Sequence, residues 1–310
     1  MKRAIVVGSG AGGAAAAREL AGQFDVTVLE AGQPFRPFAM RHATIARLKR
    51  AGLLFHPRLI SLFFPALRIG KTAGGMFLVR GQALGGSTTV STGNALRMDG
   101  DLRALGIDLD REFAELETDV PASTAHRRRW SDETRQLFDL SAACGLEPQP
   151  TPKMGRYERC VGCGRCVFGC PYGVKWDARR FLDDAAGRGA RVVPGCHVDA
   201  VSIENGRATG VWARQGATRR FWPADLVVLS AGGFATPALL ARAGIAVERR
   251  LFVDPVLCVA ARWPDAGQHR DMPMPFVCQR DGYMISPYFD NLSFPFNRAW
   301  GYAAGDVLSL

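Results

Sequence analysis

The chain has 310 residues, of which 47% are hydrophobic and 22% charged, a composition that supports one large or two ordinary folded domains and excludes a disordered polymer. No apolar run approaches the ~18–20 residues that a membrane-crossing helix needs. The net charge of +10 is concentrated between Ala31 and Met98, where ten basic residues stand with no Asp or Glu. No nucleic-acid reader motif accompanies this charge, so nucleic acid is not expected as a partner.

The first apolar stretch, "AIVV" after Arg3, is too short for a signal peptide and runs into glycines. The setting is therefore read as cytoplasmic, where clustered cysteines are metal ligands or redox groups rather than disulfides. "RAIVV" predicts a buried parallel strand, "GAGGAAAARELAGQF" a helix and "DVTVLEAG" a second strand. Together they form a βαβ unit, which implies a parallel sheet covered by helices. The basic segment that follows contains "GLLFHPRLISLFFPAL". It suits peripheral contact with anionic lipid on the inner face of a membrane, or equally a solvated basic face beside a loop packed on the core.

Residues from about 100 to 185 show mixed helical pattern without clear strand order. Strands resume with "ARVVPG", "HVDAVSIENGRATGVWAR" and "ADLVVLSAGG". The Asn205-Gly206 pair between alternating runs predicts a two-residue hairpin turn. "TPALLARAGI" predicts a further helix, and beyond about residue 250 frequent Pro and aromatic residues predict irregular sheet or loop.

Gly8, Gly10 and Gly13 form a G-x-G-x-x-G pattern between strand and helix, with Glu30 at the end of the second strand, 22 residues after Gly8. The glycines allow a tight turn, approach of a pyrophosphate and close helix–strand packing, while the acid suits a ribose hydroxyl. An acid at this place favours FAD or NAD over NADP. Farther along, "LGGST" and "SAGGFATPALLARAGI" complete a set that resembles the glucose–methanol–choline (GMC) oxidoreductases over most of residues 1 to 245. The resemblance implies an α/β fold: a Rossmann-like FAD-binding domain from 1–110 and 186–250, an inserted cap and cysteine region at 111–185, and the beginning of a substrate domain at 251–310. It also implies that Gly8, Gly10, Gly13, Glu30, Gly85, Gly86 and Ser87 hold FAD, that Val198 meets the adenine through its backbone, and that Ala231 and Gly232 close over the nucleotide end. The family's Asn after its "GGSS" is Ser91 here, with Asn94 nearby as the contact to the flavin ring.

The family's catalytic His has no counterpart among His42, His56, His126, His197 and His269, which are read as surface or packing residues. The catalytic residue is unknown, and a C-terminal part or a second polypeptide is expected to complete the active site.

Cys160, Cys163, Cys166 and Cys170-Pro171 form a C-x2-C-x2-C-x3-C-P run that matches bacterial ferredoxins. It is read as the ligand set of a [4Fe–4S] cluster, with Cys170 or a distant cysteine (Cys144, Cys196, Cys258 or Cys278) as fourth ligand. Zinc and an unmetallated stretch, as in the "GCxxGxK" segment of long-chain alcohol oxidases, are the alternatives. Lys175 either raises the potential of such a cluster or is solvated. The expected activity is FAD-dependent oxidation of a small-molecule alcohol, with electrons leaving through the cluster to a quinone, cytochrome or ferredoxin. A non-catalytic electron-transfer subunit and an alcohol oxidase with a metal-free cysteine stretch are the rival readings.

Overall fold

The structure, a computed structural model, describes residues 1–38, 57–71, 77–248 and 271–288, with positions 44, 47 and 259. His42, His56, His269, Cys258 and most of 251–310 lie outside the described residues, as does part of the basic segment.

β1 (Arg3–Val7), α1 (Ala11–Leu20) and β2 (Asp25–Leu29) are the predicted βαβ unit. Every residue of each strand after its first is buried, which is why the strands read as β-branched runs rather than alternations. Within the basic segment, α2 (Pro57–Phe63) buries Ile60 and exposes Leu62, and the hairpin β3 (Leu67–Lys71) and β4 (Phe77–Gly81) follows. Next come a 3-10 turn at Gly86–Val90, α3 (Gly100–Ala104), α4 (Asp110–Asp119), β5 (Ala122–Ser123), α5 (Asp132–Ala143), β6 (Gln149–Pro150) and β7 (Lys153–Met154). The last described elements are α6 (Arg179–Gly187), β8 (Arg191–Val193), β9 (Cys196–Glu204), β10 (Arg207–Gln215), β11 (Thr218–Pro223), β12 (Leu226–Leu229), α7 (Gly232–Arg242), β13 (Phe276–Arg280) and β14 (Tyr283–Ile285).

These elements form two compact units. The first comprises Met1–Arg36, Pro57–Thr89 and Asp177–Ala260; the second comprises Pro37–His56, Val90–Trp176 and Ala261–Leu310.

The first unit is built on a parallel sheet in the order β12-β1-β2-β8. One face of this sheet packs Ile5, Val7 and Leu29 against Val198, Val211 and Ala213 of the antiparallel meander β9–β10–β11, and against Leu239 of α7. Strand alternation turns Ala4, Val6, Val26 and Val28 to the other face, where α1 packs with α6. Each such Val, Leu or Ile contributes about 1.5–3 kcal/mol by leaving water. The expected hairpin turn is present: Asn205 and Gly206 take φ of 51° and 75°, the two positive angles of a type I′ turn.

The second unit has a smaller aromatic core. Trp130 packs on Phe138 (centroids 5.4 Å apart), and Phe138 meets Phe276 edge-on at 5.2 Å. α5 is capped by Ser131, whose Oγ accepts from the Thr134 N–H at 3.2 Å, a capping bond worth about 1 kcal/mol. The stretch expected to be irregular is, over 271–288, the hairpin β13–β14, with β13 also pairing β6.

Candidate functional site

The glycine turn of the first unit divides its labour. Gly8 sits at φ +97°, and a Cβ there would stand 2.4 Å from the Ser230 carbonyl oxygen, so the end of β12 closes against it. A Cβ on Gly13 would stand 2.0 Å from the Gly8 oxygen, which is the close helix–strand packing the pattern predicts. Gly10 is the opposite case: a Cβ there would meet nothing within 4 Å, so the start of α1 opens onto space. α1 has no side-chain cap and no acid in its first turn, leaving its N–H groups and positive dipole end for an anion.

Two other segments reach this turn. A Cβ on Gly86 would lie 2.8 Å from the Gly10 Cα, so the Gly85–Ser87 loop runs against the start of α1. Gly85 and Gly86 hold φ of +90° and +57°, a pair that only glycine adopts cheaply. The exposed Ser87 hydroxyl accepts from the Gly81 N–H at 3.0 Å and keeps its own proton to donate.

Glu30 ends β2 beside them, buried and engaged. Its Oε2 accepts from the Ser9 N–H (3.0 Å) and the Ser9 hydroxyl (2.6 Å), and its Oε1 from the Gly32 N–H (2.7 Å). A carboxylate offers about four acceptor directions, so one on Oε1 stays open to a ribose hydroxyl. Ser9 was not singled out in the sequence, yet it ties the turn to Glu30 and accepts from the Gly85 N–H at 3.2 Å. Its place between the first two glycines is the only signal it gives.

Val198 is buried on β9, an edge strand of the meander whose alternate backbone groups face away from β10. Ala231 caps α7, with its N–H donated to Thr236 Oγ1 at 3.0 Å, and Gly232 sits exposed at φ +85° with open space before it. These residues, with Gly8, Gly10, Gly13, Glu30, Gly85, Gly86 and Ser87, all belong to the first unit. The close approaches at Gly8, Gly13 and Gly86, set against open space at Gly10 and Gly232, fit a dinucleotide lying across glycine backbone. Asn94 falls in the second unit, where its Oδ1 accepts from Lys153 Nζ at 2.5 Å.

The four clustered cysteines come together in the second unit. Cys160, Cys163, Cys166 and Cys170 line one pocket with Tyr157, Val174, Lys175 and Met272, and all four are free thiols. Among the distant cysteines that are described, none lines this pocket: Cys144 is exposed, Cys196 lies in the core of the first unit and Cys278 packs on Trp130 and Phe276. Gly162, Gly164 and Gly169 take φ of 64°, 66° and 87°, which folds the chain around sulfur. The Gly162 N–H donates to Cys160 Sγ at 3.4 Å. Among the described residues no three His, Cys, Asp or Glu side chains are grouped as a ready site for a metal ion. The thiols therefore share a pocket wall without closing on one point.

Burial raises the Cys166 thiol to about 12, against the pull of Lys153 and Lys175, and burial raises Cys160 as well. Metal coordination would deprotonate these thiols outright. Lys175 is buried at 3% exposure and donates to the Ser91 carbonyl at 2.8 Å, which corrects the solvated alternative for this residue. Lys153, which nothing in the sequence pattern marked, is fully buried, and burial lowers it to about 7.

His126 is a packing residue of the same unit. Trp130 Nε1–H can only donate, and it points at His126 Nδ1 at 3.0 Å, so the proton of the neutral ring is on Nε2 and is donated to the Thr151 carbonyl at 2.8 Å. Burial, followed by the nearby Lys153 charge and opposed by the Thr151 carbonyl, holds this ring at about 4. His197 is exposed on β9.

Comparison with known proteins places this geometry. The model of the GMC oxidoreductase family matches residues 106–265. An uncharacterized GMC-type oxidoreductase of Mycobacterium tuberculosis is 32% identical over 267 residues, covering 80% of this chain and 40% of that protein. A long-chain-alcohol oxidase of Arabidopsis thaliana is 26% identical over 84% of this chain and 37% of its own length. Among solved structures, the pyridoxine 4-oxidase from Mesorbium loti shares the fold with a TM-score of 0.54 at 18% identity, over 79% of this chain and 52% of that one. The chain thus spans about two fifths of the length of these curated relatives.

Proposed function

This chain belongs to the GMC oxidoreductase family of FAD-binding proteins, and from that premise we propose that it is the flavin-bearing part of a dehydrogenase acting on a CH–OH group. The observation that carries the reading is the meeting of three elements in the first unit: the uncapped start of α1 at Gly10, the Gly86–Ser87 loop against it, and the acceptor left open on Glu30.

Gly10 and the first turn of α1 would receive the pyrophosphate on backbone N–H groups, with Ser87 adding a hydroxyl donor. Glu30 would accept a ribose hydroxyl while Ser9 holds its carboxylate in place. Bound FAD supplies the acceptor for a hydride taken from the carbinol carbon. The hydroxyl proton goes to a base, a His by the family resemblance. Neither described histidine suits that role, since His126 has both ring nitrogens engaged in the core of the second unit and His197 stands exposed on β9.

In the second unit, Cys160, Cys163, Cys166 and Cys170 would hold a [4Fe–4S] cluster. The support for this is the C-x2-C-x2-C-x3-C-P spacing and the four thiols that line one pocket. The cluster would carry electrons singly to a quinone, cytochrome or ferredoxin. A second reading, an oxidase whose cysteine stretch is metal-free, draws support from the alcohol-oxidase relative. A third reading is a non-catalytic electron-transfer subunit.

The test is analysis of purified protein for flavin, iron and sulfide, followed by anaerobic addition of primary alcohols of increasing length together with any co-purifying chain. Flavin bleaching followed by a reduced-cluster EPR signal is the expected result. Peroxide formation without iron would establish the oxidase, and flavin inert to every alcohol would establish the subunit.

A further inference from the structure

The basic segment of the first unit carries a hairpin that water alone does not account for. Among the described residues β3 and β4 pair only with each other, and a lone two-stranded sheet is marginally stable in water. Its root is firm: the Gln82 N–H donates to the Ala66 carbonyl at 2.7 Å, and the Gly81 N–H to Ser87 Oγ at 3.0 Å. Beyond the root, the register sorts side chains onto two faces. Ile69 stands opposite Val79, an apolar pair in which Val79 is 41% exposed. On the other face Arg68 stands opposite Arg80, both exposed, and like charges placed directly across a ladder repel. The Arg68 guanidinium donates to the Pro65 and Leu67 carbonyls at 3.2 and 3.4 Å, and among the described residues no carboxylate pairs with either arginine. α2 packs beside β3, burying Ile60 while leaving Leu62 71% exposed. From Pro57 to Thr89 the sequence has four basic residues and no acid. An ordinary solvated surface intersperses charges of both signs.

We infer that β3, β4 and α2 form a surface that docks on an anionic phospholipid bilayer. A segment lying in the bilayer interface has one apolar face and one face rich in Lys or Arg, the two faces this hairpin presents. Ile69 and Val79 enter the headgroup–acyl boundary, and Leu62 on the neighbouring helix adds a third apolar contact. Arg68 and Arg80 stay at headgroup level, where guanidinium groups match phosphate oxygens in pairs. Lipid phosphates around the two arginines turn their mutual repulsion into joint attraction. The exposed apolar side chains sit on two separate elements, a helix and a strand, and a bilayer asks for no groove or register to receive them. The surface stands independently of what the four cysteines hold and of which alcohol is oxidised.

The test is co-sedimentation of the full chain with vesicles of phosphatidylcholine alone and of phosphatidylcholine mixed with phosphatidylserine. Wild type is compared with Arg80→Gln, with Arg68→Gln and Arg80→Gln together, and with Leu62→Gln. Wild type should bind the mixed vesicles far more tightly than the neutral ones, with an affinity that falls as salt rises. Arg80→Gln should weaken binding about fivefold and the paired variant about thirtyfold. Leu62→Gln should weaken it about tenfold, by a factor that salt leaves unchanged. Because the two arginines repel in the free chain, Arg80→Gln should keep or raise the thermal midpoint while binding weakens. A lowered midpoint with weaker binding would make the arginines structural and overturn the inference. Equal binding by wild type and the paired variant, or no preference for the anionic vesicles, would also overturn it. Binding to soluble polyglutamate as tight as to vesicles, and unmoved by Leu62→Gln, would overturn it in favour of an acidic protein partner.

Discussion

The two units build their candidate sites in different ways. In the first, the backbone does the work: glycines turn N–H groups and a helix end toward open space, and the buried Glu30 beside the turn keeps one acceptor direction open. In the second, glycines fold the chain between four thiols, and the buried Lys175 lines the same pocket. The first site draws backbone from segments as far apart as Gly8 and Gly232, whereas the four thiols of the second stand in one short run from Cys160 to Cys170.

The strongest way to break this contrast is to remove the steric logic of the glycine turn. Gly13→Val would drive a side chain into a space where even a Cβ stands 2.0 Å from the Gly8 oxygen. The expected cost exceeds about 4 kcal/mol, in the range that unfolds a domain. Gly162→Ala meets only Arg129 at 3.7 Å and should cost about 1–2 kcal/mol, from the left-handed backbone alone. Flavin content and thermal unfolding of the two variants check this, and equal losses would mean that the glycines of the two units do the same job.

Next in size is a change that should touch one unit and spare the other. If the four cysteines hold the proposed cluster, Cys166→Ser abolishes bound iron and leaves one flavin per chain, since every assigned nucleotide contact but Asn94 belongs to the first unit. Iron, sulfide and flavin assays on one preparation are sufficient. Parallel loss of flavin would show that the nucleotide site needs the cysteine unit intact.

How much of this was legible in the sequence follows the same divide. β1, α1 and β2, the Asn205-Gly206 turn and α7 could be read because each depends on neighbours within a few positions: periodicity, a glycine, a capping residue. The glycine spacing and Glu30 were legible for that reason, and so was the cysteine run. Ser9 was not, because its role depends on Glu30 and Gly85 arriving from separate segments. Lys153 was less visible still. Its neighbourhood is made by Thr92, Asn94 and Pro273, and no pattern around "TPKMG" distinguishes it from a solvated lysine. The short strands β5, β6 and β7 escaped because two-residue bridges carry no periodicity.

A third prediction sharpens the contrast through pH. His126 is held neutral in the second unit, its pKa down to about 4 from 6.5. The depressed value means that the neutral ring is favoured by folding. Its contribution is complete above about pH 6.5 and is lost as the pH falls toward about 4, by up to about 3 kcal/mol. Urea midpoints should therefore fall over that window for the second unit, and His126→Gln should remove that part of the slope. An unchanged slope in the variant would place the acid sensitivity elsewhere.

The smallest effect is expected at the hairpin of the first unit. Gly206 takes φ +75° with nothing within 4 Å of where a Cβ would stand, so Gly206→Ala introduces no clash and isolates the backbone cost of a left-handed residue. That cost is about 1 kcal/mol. Because β9 and β10 are long and pair over most of their length, the loss should appear as a fall in thermal midpoint of a few degrees with flavin content unchanged. A larger loss, or loss of flavin, would mean that the turn sets the register of β9 and hence the placement of Val198. The nucleotide unit would then depend on tertiary detail as much as the cysteine unit does.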